Sequence, residues 1–362
     1  MKYTRGCCVV GENKMEIRED CVMPDNLAPQ AAIVKPAIWT PCTTDAHLIE
    51  TGLRDCPDLL YKAAGHEMSG TIIAVGSAVK DFKPGDRVAA CAAMPDWHTL
   101  AAQDGHPRDR YWDNTGTFTE RGGSFVDEYY VEDAEMNLAH IPDNVTWDQS
   151  VMATDMMATA FRGVEEMELQ FGESVAVFGI GPVGLMGVRA CVLKGAGKVF
   201  AIGSRNVCFE VAKEYGATEL FNYHDADFLD AIVKANGGQV DRVLVCGGND
   251  RTISQGLGIM KNGGTLVNVA AYFDVPSLTI PLDLPSWGFG YGDKTIKGVQ
   301  CAGGRLKLER MLSLISAGRV QPEKLITHRF HGMEEIESAM QLYINRERSL
   351  IKAVVYNDGV KG

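Results

Sequence analysis

Cysteine, histidine and carboxylate residues carry the first chemical signal in this chain. The stretch Pro41-Cys42-Thr43-Thr44-Asp45-Ala46-His47 sets a thiol, two hydroxyls, a carboxylate and an imidazole side by side, and His66-Glu67 adds a nitrogen donor beside a second carboxylate. One Cys, one His and one carboxylate drawn from separate segments can make a zinc site, with a fourth position open to water or substrate. Distance along the chain does not by itself bring such residues together. Taken singly, His66-Glu67 is an ordinary pair, Thr44 a turn hydroxyl and His47 a surface histidine. Asp155 lies in the apolar run MATDMMAT. A carboxylate there is costly to bury unless it is paired, hydrogen-bonded or metal-bound. The stretch MMATAFRGVEEME reads as a helix, so from this segment alone Asp155 is expected to be its N-cap.

A second signal is Gly179-Ile180-Gly181-Pro182-Val183-Gly184, which follows the apolar run SVAVF and opens a helical pattern. In a strand–turn–helix context the first glycine permits the tight turn, the second lets a pyrophosphate approach the backbone, and the third lets helix and strand pack closely. The helix N-terminus supplies N–H groups and a positive dipole end. A plain turn with incidental glycines is the weaker reading. Units that bind NAD place an acid roughly 20 residues further on for the ribose hydroxyl. Here the next strand, KVFAIG, runs into Gly203-Ser204-Arg205, and the acid is missing. A small residue leaves room for a 2′-phosphate, Ser204 can hydrogen-bond it and Arg205 can pair with it, which favours NADP.

The elements that must position these residues fall into two textures. Up to about residue 150 there are short β-like runs, AAIVKPAIW, SGTIIAV and DRVAACAA, broken by Gly, Pro and Asp. Residues 99–124 are rich in turn formers and read as a surface lobe. From about 159 strands alternate with helices: SVAVFG, the helix PVGLMGVRACVLKG, KVFAIG, the helices VCFEVAKEYG and FLDAIVKANG, DRVLVCGG, the helix ISQGLGIMKN, and TLVNVAAY. That alternation predicts a doubly wound parallel sheet, hence an α/β fold beside a β-rich domain. After about 300, LKLERMLSLISAGR and MEEIESAMQLYIN read as amphipathic helices and LIKAVVYN as a closing strand.

The chain has 362 residues, 46% hydrophobic and 23% charged, enough for two globular domains. Its net charge of -12 argues against nucleic acid or an anionic membrane as a main partner. No apolar run approaches the ~20 residues of a membrane span, and the N-terminal segment turns charged too early for a signal peptide. The ten cysteines are scattered with no C-x-x-C pair, so they read as reduced thiols with no cysteine-rich structural zinc lobe. A soluble, cytoplasmic protein is expected.

The stretch Gly65-His66-Glu67-x-x-Gly70-x5-Gly76-x-x-Val79 resembles the zinc signature of the medium-chain alcohol dehydrogenases. The resemblance runs along essentially the whole chain and is strongest to the NADP-dependent secondary alcohol dehydrogenases of anaerobic microbes. PCTTDAH, PDW, MNLAH, VMATDMM, VAVFGIGPVGLM, YGAT, KTIKG, CAGGRLKLER and KLITHRF all look like that group. It implies a GroES-like β-rich catalytic domain, residues 1–158 and 300–362, around a Rossmann NADP-binding domain, residues 159–299. It implies Cys42, His66 and Asp155 as ligands of one catalytic zinc per chain. Glu67 would be an adjacent carboxylate able to coordinate when substrate is absent. Many relatives carry cysteine at the position of Asp155. Gly203, Ser204, Arg205 and Tyr223 would surround the 2′-phosphate, and Lys352 would be a further cofactor contact. Thr44 would hydrogen-bond the substrate oxygen and His47 would carry the proton outward. Asp45 would be a turn or supporting residue. The group is homotetrameric.

The pocket departs from that pattern. Ala93 and Gln300 stand where relatives carry aliphatic residues, and Trp112 is only a loose counterpart of their pocket tryptophan, with Cys301 completing the expected lining. These changes suggest a roomier, more polar pocket, with a diol, hydroxyketone or bulkier carbonyl preferred over 2-propanol; the plainer reading is that Gln300 faces solvent and the lobe simply varies. The rival readings are a zinc-free enone or quinone reductase of the same fold and a non-enzymatic NADPH-sensing protein. Neither needs the combined Cys, His and Asp set.

Overall fold

The computed structural model describes residues 2–54, 57–104, 122–272, 277 and 279–360. Its contacts divide the chain into two compact units, Met1–Asp155 with Ala302–Gly362, and Met156–Cys301.

The first unit is built on a seven-stranded sheet. Its order is Ile326–His331, Lys352–Tyr356, Ala32–Trp39, Met68–Val75, Arg87–Ala90 and Leu138–His140, with Tyr129–Val131 pairing Ala32–Trp39 off the main path. The strands are rich in Val, Ile and aromatic residues, and Trp39, Ile38, Met68, Ile72 and Val88 are fully buried. Each such side chain taken from water contributes about 1.5–3 kcal/mol. The two central pairings set up the chemistry. Trp39 lies opposite Met68, and Val355 lies opposite Trp39, in antiparallel register. The residues just past Trp39, just before Met68 and just before Val355 must therefore emerge at the same end of the sheet. Those are Cys42, His66-Glu67 and Lys352. An N-terminal hairpin, Lys2–Gly11 with Lys14–Met23, was not evident in the sequence, where its charges mask the alternation.

The second unit is a six-stranded parallel sheet, in the order Glu219–Asn222, Lys198–Gly203, Ser174–Phe178, Val240–Val245, Met260–Asn268 and Thr295–Gly298. The order steps outward both ways from Ser174–Phe178, as the predicted doubly wound sheet requires. Its core is apolar throughout: all of Ser174–Phe178 is buried, with Phe200, Leu244 and Leu266.

Two expectations are corrected. The pattern ISQGLGIMKN is not one helix: the helix ends at Ile259 and Met260–Asn268 is strand. Met260 is fully buried and pairs with Val240, so sheet pairing overrides the helical periodicity at its end. Nor does Asp155 cap a helix. Trp147–Met152 and Ala158–Glu166 are α-helical, and Ala153–Met157 between them is a π-helical turn. The N-cap is Thr146, whose hydroxyl accepts from Gln149 N at 3.3 Å while Gln149 returns a bond to Thr146 N. A π turn widens the helix and re-aims one side chain, and such turns recur at functional sites. The Thr154 carbonyl inside it accepts from Ala92 N at 3.3 Å. The part of the 99–124 lobe from 105 to 121, which includes Trp112, lies outside the described residues; Leu100–Gln103 is a short helix capped by Thr99.

Candidate metal centre and dinucleotide turn

Cys42 ends the loop after Ala32–Trp39 and is the N-cap residue of the helix Thr43–Glu50. His66 and Glu67 immediately precede Met68–Val75. Gly65 turns the chain into them at φ +87°, and a Cβ there would meet Phe125 Cδ1 at 2.3 Å, so the first glycine of the signature is a steric requirement. Asp155 arrives from the π turn.

Donor atoms of Cys42, His66, Glu67 and Asp155 all lie within 4.8 Å of one another, the only such group of metal-binding residues among the described residues. His66 Nε2 is 3.4 Å from Asp155 Oδ2, and Cys42 Sγ is 4.0 Å from the same oxygen. Donors held by a tetrahedral zinc at ordinary bond lengths sit roughly 3.3–3.8 Å apart, so the set fits one zinc with little adjustment. Glu67 Oε2 is buried without a hydrogen-bond partner, a further mark of a site built for a cation.

Asp45 explains how the ligands are held. Its Oδ1 lies 3.1 Å from His66 Nδ1 and its Oδ2 accepts from Cys42 N at 3.1 Å, and the residue is 1% exposed. One carboxylate thus caps the helix, orients the imidazole and leaves Nε2 turned to the metal position. Burial would lower the His66 pKa, but Asp45, Asp155 and Cys42 raise it well above the ordinary imidazole value. Metal uptake must therefore displace a proton. Asp45→Ala is expected to lower metal affinity about 10- to 100-fold, read by competition with a chromophoric chelator. Unchanged affinity would leave Asp45 as a helix cap alone.

Thr44 lies in the first turn of the same helix, partly exposed, two residues after Cys42. His47 follows one turn on, with Nδ1 3.4 Å from Glu50 Oε2. Lys352 lies against the same cluster. It is 2% exposed, and its Nζ donates to Glu67 Oε1 at 2.7 Å and to the Pro41 carbonyl at 2.8 Å. These two bonds hold the ammonium between Glu67 and the residue before Cys42. Burial lowers the Lys352 pKa, but the Glu67 charge more than offsets this and holds the ammonium protonated. Glu67 is pushed up to about 7 by burial and by Asp155, against the pull of Lys352 and His66. Sequence reasoning missed this pair, because it depends on Val355 lying opposite Trp39, a register that only the fold shows.

In the second unit Gly181 is the N-cap and Pro182 the first residue of the helix Pro182–Lys194. Gly179 takes φ +79°, and a Cβ at Gly184 would meet the Gly179 carbonyl oxygen at 2.2 Å. Strand, turn and helix are therefore packed backbone to backbone. At Gly181 the nearest atom to such a Cβ is Arg205 Nη2 at 3.9 Å, which leaves an open cradle flanked by a guanidinium. Gly203 ends the second strand, and its carbonyl accepts from Tyr223 N at 3.2 Å. Ser204 Oγ donates to Tyr223 Oη at 3.1 Å, with Tyr223 half exposed. Gly203, Ser204, Arg205 and Tyr223 are thus gathered at one corner, with no carboxylate at the strand end. Ala93 is buried in the first unit, its carbonyl 2.5 Å from where a Cβ on Gly303 would stand. Gln300 and Cys301 are partly buried in the second.

Comparison with known proteins agrees with both units. Residues 28–143 match the alcohol dehydrogenase GroES-like domain and residues 182–317 the zinc-binding dehydrogenase domain. The NADP-dependent isopropanol dehydrogenase of Clostridium beijerinckii is 42% identical over 90% of this chain and 92% of its own length. That of Thermoanaerobacter brockii is 42% identical over 90% and 93%. Among solved structures, the alcohol dehydrogenase of Thermus sp. ATN1 superposes with a TM-score of 0.87 at 25% identity, covering 98% of this chain and 99% of that one. The chain belongs to the zinc-binding alcohol dehydrogenases.

Proposed function

We propose that this protein is an NADP(H)-linked zinc oxidoreductase that interconverts a secondary alcohol and its ketone. The observation that carries the reading is the convergence of Cys42, His66 and Asp155 in a chain 42% identical to NADP-dependent isopropanol dehydrogenases. Zinc, when bound, supplies Lewis acidity that lowers the pKa of an alcohol oxygen and polarises a carbonyl. The chain's own residues do the rest. Cys42, His66 and Asp155 would hold the metal, and Asp45 fixes the imidazole. Thr44 hydrogen-bonds the substrate oxygen and takes its proton, and His47 passes it outward. The glycine turn seats the pyrophosphate, and Ser204, Arg205 and Tyr223 receive the 2′-phosphate. A zinc-free reductase of this fold has no use for the metal cluster.

Ala93 and Gln300 support a substrate larger or more polar than 2-propanol. A panel of secondary alcohols, diols, hydroxyketones and ketones followed by NADPH absorbance is expected to give turnover, with diols or hydroxyketones preferred. In the same assay His47→Ala should slow turnover about 10-fold or more while retaining zinc. No turnover anywhere on the panel, with NADPH bound, would instead favour a sensing protein.

The domains are taken as residues 1–158 with 300–362, and 159–299, a reading supported by the division of contacts at Asp155/Met156 and Cys301/Ala302. A homotetramer is supported by the edge strand Thr295–Gly298, with Ile296 exposed, and by exposed Leu284, Phe289 and Tyr291 nearby. Light scattering should read four chains per particle. No helix among the described residues is long and apolar enough to cross a membrane. The nine described cysteines are free, which supports a cytoplasmic location; a disulfide in the protein isolated under non-reducing conditions would oppose it.

A further inference from the structure

The geometry points to Glu50 as the positioning residue of the proton path: its carboxylate holds His47 by Nδ1, so that Nε2 takes the proton that leaves the substrate and yields it to water. This deepens the functional reading above and rests on it.

The helix Thr43–Glu50 puts three polar side chains on one face. Thr44, His47 and Glu50 follow at steps of three and are partly exposed, while Asp45, Ala46, Leu48 and Ile49 between them are buried. Residues three apart are neighbours on a helix surface. The stripe therefore begins two residues after Cys42 and runs to the far end of the helix. His47 Nδ1 lies 3.4 Å from Glu50 Oε2. That contact is long for a hydrogen bond, as catalytic contacts often are before substrate binds. The Nδ1 atom is itself buried, whereas the His47 and Glu50 side chains as a whole are 25% and 29% exposed. One ring nitrogen is thus turned into the protein against a carboxylate, and exchange with water is left to the other.

Helix stability does not account for Glu50. It is the last helical residue, where the dipole disfavours a carboxylate, and an acid that follows its basic partner is the poorer order. A partly exposed pair of this kind contributes little on its own. What the pair does supply is an oriented imidazole, in the arrangement where a carboxylate fixes the tautomer and stabilises the imidazolium that forms. The protons balance. As Thr44 takes the substrate's proton, its own hydroxyl proton passes to His47 Nε2, and the imidazolium then gives that proton to water. Nδ1 keeps its hydrogen and Glu50 stays ionised throughout. In ketone reduction the same transfers run in reverse.

The test uses the full-length zinc enzyme with the best alcohol of the panel, followed by NADPH absorbance. Glu50→Gln is expected to lower kcat about 10-fold while KM and zinc content stay near the parental values. Raising the concentration of a tertiary-amine buffer, triethanolamine, should restore much of that loss, because a base from solution can take the proton directly; the parent should respond little. Glu50→Gln added to His47→Ala should slow turnover no further, since Glu50 acts only through His47. An unchanged kcat in Glu50→Gln overturns the proposal. So does a loss that the buffer does not restore, which marks a packing role, and so does a double variant slower than His47→Ala alone. Glu50 ends the helix partly exposed, so the substitution should leave the fold intact, as circular dichroism would read. A parent without turnover fails the functional reading itself; a parent that turns over beside an unaffected Glu50→Gln fails only this one.

Discussion

Asp155→Ala is expected to empty the metal centre and lower kcat/KM about 1,000-fold or more, roughly 4 kcal/mol of transition-state stabilisation. Asp155 Oδ2 lies 3.4 Å from His66 Nε2 and 4.0 Å from Cys42 Sγ, the two other expected ligands. Without it only two protein ligands are in place, and Glu67 is tied to Lys352. Alanine is at home in a helical run, so far-UV circular dichroism should be unchanged and the loss should trace to the metal. Asp155→Cys is the control: a thiolate is a natural zinc ligand, and this variant should keep its metal. Metal analysis by plasma emission reads both. Full zinc content in an active Asp155→Ala enzyme would remove Asp155 from the ligand set and return the carboxylate role to Glu67.

The second large effect is on cofactor choice. Replacing Ser204 and Arg205 together by alanine should shift the NADPH-to-NADH preference, as a ratio of kcat/KM values, by about 100-fold, roughly 3 kcal/mol. Arg205 reaches the cradle at Gly181, and Ser204 is oriented by Tyr223. A dianionic phosphate would draw on both, whereas a ribose hydroxyl would not. The NADPH term should also lose most of its dependence on ionic strength, because the screened guanidinium is gone. NADH kinetics should change little. A ratio that stays put would mean the 2′-phosphate is received elsewhere.

The particular residues show where local information stops. The glycine turn was legible because its requirement is local: a tight turn, a phosphate approach and a close packing all lie within Gly179–Gly184. The alternation of apolar strands and helices from 174 to 268 likewise announced a parallel sheet, and the six-stranded order bears it out. The end of the helix at Ile259 was not legible, because Met260 is drawn into strand by Val240, a partner 20 residues away. Asp155 was misread in isolation for the same kind of reason. Capping is the local option for an aspartate before a helical pattern, while the company of Cys42 and His66 comes from segments about 90 and 110 residues away and shows only in the fold.

Lys352 shows the limit most plainly. Nothing in LIKAVV distinguishes its lysine from a surface charge or a cofactor contact. By itself the sequence determined the parallel-sheet domain, the glycine turn, the missing acid after the second strand and, through a long motif, the family. The tertiary structure alone decided that three strand ends meet, so that Cys42, His66-Glu67 and Lys352 share one corner with Asp155. The physical reason is that sheet register couples residues by hydrogen-bonded pairing across hundreds of positions, while propensity and periodicity extend only a few turns along the chain.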